Sequence, residues 1–150
     1  MTEICTEIEI QASAERVWQV LIDFAAYPEW NPVIHPISGE ARAGGRLRFR
    51  VHPRTGPDVT LQTTVVKAEA NRELRWQGQL LFSGLFCGEH SFTIEPVAKS
   101  RVRLIQRETY SGLLAPVVLP IMKATVRRIF EDMNKALKAR AEKAPCHESI

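Results

Sequence analysis

The sequence has only three cysteines, Cys5, Cys87 and Cys146, an odd set with no CxxC and no Cys/His run of zinc spacing. They read as reduced, mostly inert thiols, and neither a disulfide framework nor a structural zinc is expected. His35, His52 and His147 show no metal-ligand spacing either. Gly44-Gly45 reads as a hairpin turn, because no GxGxxG or GKS/T pattern follows a strand, and no serine lies in a GxSxG elbow. No nucleotide cofactor, resident metal or hydrolase triad is therefore implied. No apolar run approaches the ~18 residues of a membrane span. The opening Met1-Thr2-Glu3-Ile4-Cys5-Thr6-Glu7 is acidic, with no hydrophobic signal core behind it. These absences point to a soluble, cytoplasmic protein without stable membrane insertion. Charge of one sign is lacking too: 20 basic against 17 acidic side chains leave +3, too little for a dedicated nucleic-acid binder.

What is present is an ordinary globular composition, 45% apolar and 25% charged over 150 residues. It fits one domain over 1–144 with a frayed tail at 145–150. Ile4, Thr6, Ile8 and Ile10 alternate with Cys5, Glu7 and Glu9, predicting a strand from Glu3 to Gln11. Ser13 is placed to cap a helix with Val17, Trp18, Leu21 and Ile22 on one face, ending near Asp23. Phe24 to Pro32, with Tyr27, Trp30 and a turn-bracing Asn31, reads as a structured cap. From 33 to about 111 the period is two, with strands at Leu47–Val51, Val59–Ala68, Glu73–Phe82, Phe86–Val97 and Arg101–Ser111. A long helix then starts at Pro116 or Pro120 and runs to about Lys143, carrying Val118, Met122, Ile129, Met133 and Leu137 on one stripe.

This order predicts an α+β helix-grip fold: a curved antiparallel sheet of six to seven strands wrapped around a long C-terminal helix, with two short helices after the first strand. The terminal helix is the only element long enough to cover the sheet's apolar face. Such a sheet meets its helix at the edges and is expected to leave a hydrophobic hollow between them.

The run Val17-Trp18, Leu21, Asp23-Phe24, Tyr27-Pro28, Trp30-Asn31-Pro32 resembles the opening signature of the START/Bet v 1-like (SRPBCC) superfamily, in its polyketide cyclase/dehydrase-like branch. Gly88-Glu89-His90 with Phe92, Glu108 with Ser111-Gly112-Leu113-Leu114 and Pro116, and Met133-Asn134 with Ala136-Leu137 resemble the same branch. The resemblance spans nearly the whole chain. It implies a helix-grip fold with a cavity for a hydrophobic ligand, but no single reaction.

If the last two strands form a hairpin turning near Ala98 to Ser100, facing residues have numbers that sum to about 198. Phe92 then meets Gln106, Ile94 meets Leu104 and His90 meets Glu108, all on the inward side, while Arg101, Arg103 and Arg107 point outward. His90 and Glu108 could satisfy each other, hold a ligand's polar group, or act as acid and base. Trp30, Trp76, Phe82, Phe86, Phe92, Gln106, Tyr110, Met122 and Ile129 are the candidate pocket wall; plain core packing is the competing reading of each. Arg46, Arg48 and Arg50, with Arg101, Arg103 and Arg107, form a basic outer side that reads as a solvated face. The leading function is binding of a hydrophobic small molecule by a monomer or weak homodimer. Alternatives are a cyclase/dehydratase using His90 and Glu108, and an accessory protein that binds a macromolecular partner through its sheet edge or basic face.

Overall fold

The computed structural model describes residues 2–53, 56–79 and 85–143. The chain runs β1 (Thr2–Ile10), α1 (Ala14–Ile22), a single 3-10 turn (Phe24–Ala26), α2 (Tyr27–Trp30), β2 (Ile34–Ser38), β3 (Arg46–Val51), β4 (Val59–Glu69), β5 (Glu73–Gln79), β6 (Cys87–Ala98), β7 (Arg101–Ser111) and α3 (Ala115–Glu142). The strands form one antiparallel sheet in the order β1-β7-β6-β5-β4-β3-β2. β1 therefore joins the far end of the meander, and the whole is the expected helix grip.

Local chemistry explains most boundaries. Ser13 Oγ accepts from the amide of Arg16 at 3.2 Å and starts α1. Val17, Trp18, Val20 and Leu21 are its buried face, each worth roughly 1.5–3 kcal/mol for the larger side chains. Asn31 Oδ1 accepts from the amides of Val33 and Ile34, both at 2.9 Å, bracing the step into β2. β2 is the strand whose alternation the sequence hides: it is five residues long and contains Pro36, a residue tolerated because β2 is a sheet edge. Between Pro96 and Ala98 the β6–β7 register shifts at the turn alone, so His90 faces Glu108, Phe92 faces Gln106 and Ile94 faces Leu104.

The start of α3 falls within one residue of the earlier of the two sequence expectations. The helix begins at Ala115, Pro116 occupies its first turn and Pro120 lies inside it. Both prolines are exposed, on the side where water can satisfy a carbonyl that has lost its N–H partner. Gly112, at φ 107°, delivers the chain into this helix; a Cβ there would sit 2.4 Å from the Leu85 carbonyl oxygen. At the other end the last carbonyls of α3 are satisfied by α1: Arg16 donates to Arg140 O at 3.1 Å and to Ala141 O and Lys143 O at 3.3 Å.

α3 packs chiefly on β1, with smaller contacts to α1, β7 and α2. Two hydrophobic clusters result. The main one joins α1, α2, the inner face of β2 to β7 and the end of α3 through Met133, Leu137 and Ala141. The second is small: Ile4, Phe86, Tyr110, Ala115, Leu119 and Phe130, with Val118, Met122, Val126 and Ile129 half-buried around it.

Candidate functional site

Between the two clusters runs a line of buried polar side chains contributed by four elements. β6 supplies His90, β7 supplies Gln106, Glu108 and Tyr110, α3 supplies Asn134 and β1 supplies Thr6. His90 Nδ1 lies 3.2 Å from Glu108 Oε2, and His90 Nε2 lies 2.9 Å from Gln106 Oε1. Gln106 Nε2 donates to Asn134 Oδ1 at 2.7 Å and to the Phe130 carbonyl at 3.2 Å. Asn134 Nδ2 donates to Thr6 Oγ1 at 2.9 Å. Gln106 is fully buried and the His90 side chain only 7% exposed, so this line is shielded from water along most of its length.

The network constrains its own protons. Two acceptors hold Gln106 Nε2, so Gln106 turns Oε1 toward the imidazole and His90 Nε2 must donate. The other ring nitrogen, Nδ1, faces the Glu108 carboxylate. Tyr110 hydrogen-bonds Glu108 as well; burial, and then the carboxylate's charge, push the Tyr110 hydroxyl well above its ordinary range. Gly88 makes the carboxylate's position possible, since a Cβ there would come within 2.6 Å of Glu108 Oε1.

Aromatic rings close around the imidazole. Trp76 stacks on it at 5.2 Å between centroids, Phe92 lies at 4.6 Å and Phe130 stands edge-on at 4.8 Å. Of the remaining wall candidates, Phe86 and Tyr110 stack on each other at 5.3 Å in the second cluster. Trp30 is half-buried against Tyr27 at 4.9 Å, away from His90's ring neighbours, and Met122 and Ile129 are half-buried on α3. Phe82 lies outside the described residues, as does the 145–150 tail. The space nearest His90 is thus occupied by the protein's own rings rather than left hollow as expected. A recess of about 120 Å³ lies beside α3, lined by Val33, His52, Ala124, Thr125, Arg128, Ile129 and Asp132.

At the rim of this recess His52 is held by Asp58 at 3.0 Å and by the His35 carbonyl at 2.6 Å, and the two imidazoles stack at 4.2 Å. Burial, then the neighbouring His52, keeps His35 below the usual histidine range. Among the described residues no three His, Cys, Asp or Glu side chains converge as a metal site requires. On the outer face, Arg103 pairs with Glu95 at 3.6 Å and Arg107 with Glu3 at 3.5 Å, which partly neutralises the basic side. Sequence reasoning missed Asn134 and Thr6 as members of the polar line. The available signals were a lone amide beside the apolar arc of α3 and a hydroxyl at an inward β1 position.

A family model described as polyketide cyclase / dehydrase and lipid transport matches residues 1–142. No curated protein matches the chain. Among solved structures, a START superfamily protein from Mycobacterium smegmatis is 28% identical, with a TM-score of 0.76 over 93% of this chain and 97% of that one. The Zhui aromatase/cyclase from Streptomyces sp. R1128 is 16% identical, with a TM-score of 0.76 over 94% of this chain and 93% of its own. Norcoclaurine synthase from Thalictrum flavum is 17% identical, with a TM-score of 0.73 over 95% and 87%. The last two share the fold. No helix among the described residues is long and apolar enough to cross a membrane.

Proposed function

The chain belongs to the polyketide cyclase / dehydrase and lipid transport family, and from that membership we propose that it binds a small hydrophobic molecule, lipid-like or aromatic and polyketide-like, between the sheet and α3. The observation that carries this reading is the polar line itself. Six polar side chains inside an apolar interior are costly unless each finds a partner. His90 and Glu108 form the stretch of the line nearest the aromatic rings, where a ligand's hydroxyl or carbonyl would take over their mutual hydrogen bond. Trp76, Phe92 and Phe130 would then face its apolar body.

The recess of about 120 Å³ is small beside the roughly 300–1,000 Å³ of a typical ligand site. Ligand entry therefore requires the first half of α3 to give way. Ile129 lines the recess and packs against both clusters, and its neighbour Phe130 is the ring edge-on to His90. Displacing these two side chains joins the recess to the polar line.

Native mass spectrometry of the purified protein, and titration with the apolar fluorophore anilinonaphthalene sulfonate, test this. Bound mass or saturable probe binding is expected. His90→Ala and Glu108→Gln should each weaken the binding about tenfold, equivalent to about 1.4 kcal/mol, while the chain stays folded. Neither mass nor saturable binding, or binding indifferent to both substitutions, overturns the reading.

The 3.2 Å contact of His90 Nδ1 with Glu108 Oε2 favours a second reading, a cyclase or dehydratase in which the pair gives and takes a proton while the interior orients a folded chain. Turnover of an aromatic polyketide precursor that falls about a hundredfold in Glu108→Gln would support it. Undiminished turnover in that variant would remove it.

A further inference from the structure

The start of α3 and the residues leading into it carry an apolar stripe that is exposed among the described residues. Leu113 is 80% exposed, Val117 63% and Ile121 81%, with exposed Pro120 and Ala124 beside them. At 100° per residue, Val117, Ile121 and Ala124 share one arc of the helix, and Arg128 continues that arc one turn later. Charge is distributed unevenly around the stripe. Between residues 110 and 130 there is no Asp or Glu, and Lys123, Arg127 and Arg128 are the only charged side chains, all exposed.

An exposed apolar face rimmed by cations, free of carboxylates and on a helix unable to span a bilayer, has the makeup of an interfacial helix. We propose that this face docks the protein reversibly on an anionic phospholipid bilayer, the apolar stripe entering the headgroup boundary and the three cations meeting lipid phosphates and carboxylates. A second copy of the chain fits the face less well. Pairing two such faces gathers the cations of both copies, and the segment carries no carboxylate to neutralise them. The stripe holds no aromatic ring, so the attachment is transient rather than anchoring. Ala124 and Arg128 belong both to this face and to the lining of the recess. Docking would therefore bring the recess, with Asp132 on its far side, beside the membrane surface.

The test is co-sedimentation of the full chain with vesicles of phosphatidylcholine containing about 30 mol% phosphatidylserine, against phosphatidylcholine alone. Partitioning should favour the anionic vesicles about tenfold and fall about fivefold when salt rises from about 0.1 to 0.5 M. Ile121→Glu, and separately Lys123→Glu with Arg127→Glu, should each reduce it about tenfold with an unchanged melting temperature, because these side chains are exposed. Three results would overturn the proposal: no binding by the wild-type chain, equal binding to both vesicle types, or full binding by Ile121→Glu. A wild-type dimer in sedimentation velocity that Ile121→Glu dissociates would also overturn it, by assigning the face to a second copy.

Discussion

The two halves of α3 are one continuous helix with opposite relations to the rest of the molecule. Residues 129–142 bury Met133, Leu137 and Ala141 in the main cluster, and their polar side chains are tied down. Lys138 donates to the Glu9 carbonyl at 2.8 Å, Glu142 accepts from the Gln11 amide at 2.7 Å, Arg140 pairs with Glu29 at 3.3 Å and Arg16 caps the end. Among the described residues no hydrogen bond or ion pair ties a side chain of 115–129 to another element. That half rests on the small cluster, has four half-buried apolar residues and turns Val117 and Ile121 to solvent. A helix clamped at one end and merely leaning at the other can move its free end without unfolding. The polar line of His90, Gln106 and Asn134 crosses where the two regimes meet.

The strongest test of this contrast is a pair of cavity-forming substitutions. Leu137→Ala, in the clamped half, should lose about 3–5 kcal/mol in urea unfolding, and the equally buried Leu119→Ala about 2–3, because a loosely held surround collapses onto the gap. Equal losses would break the comparison. Asn134→Ala should cost about 1–3 kcal/mol by leaving Gln106 and Thr6 short of a partner, whereas Ile121→Ser should stay within about 0.5.

The chain's two tyrosines report on the two clusters separately, Tyr27 in the main one and Tyr110 in the small one. Burial raises both hydroxyls far above the usual value, with Asp23 adding to the effect on Tyr27 and Glu108 to that on Tyr110. A raised phenol favours the neutral form in the folded state. Its stabilisation is complete below the unfolded value of about 10 and is lost as pH climbs beyond it. Ultraviolet titration should show no phenolate near pH ~10 from either hydroxyl, and Tyr27→Phe separates the two contributions. A phenolate near pH ~10 that Tyr27→Phe leaves in place would show that the small cluster admits water to Tyr110.

A small, pH-dependent effect is expected at the clamp itself. Glu142 is held below the ordinary carboxylate range first by Lys138 and then by the Gln11 amide. A lowered carboxylate stabilises above the unfolded value of about 4.3, and that gain disappears as pH falls through the lower folded value. Glu142→Gln should therefore cost at most about 1 kcal/mol near neutrality, since the pair is partly exposed, and the cost should vanish in acid. A difference that persists in acid would show that the clamp is not ionic.

Much of this architecture is legible from residue order. The alternation through Phe92, Ile94, Val102 and Leu104, with a short turn at Ala98 to Ser100, suffices to set His90 opposite Glu108, because a hairpin's register follows from its turn. β2 was not legible: Pro36 interrupts its alternation, and only its place at the sheet edge makes it a strand. Nor was Pro120 inside α3, which depends on which side of the helix meets water. The pairing of Gln106 with Asn134 and Thr6 needs the rotation of α3 about its axis, a quantity no local pattern contains.

By itself the sequence determined the order of elements, the inward faces and the meeting of one histidine with one glutamate. Those follow from periodicity and chain connectivity, which act between near neighbours. The tertiary structure alone decided that Phe130 and Trp76 would close over that pair, that an amide on α3 would orient it, and that one half of the helix would be held while the other leaned. Those outcomes depend on how side-chain volumes and hydrogen-bond partners from distant segments meet in space, where close packing leaves little freedom once the segments are assembled.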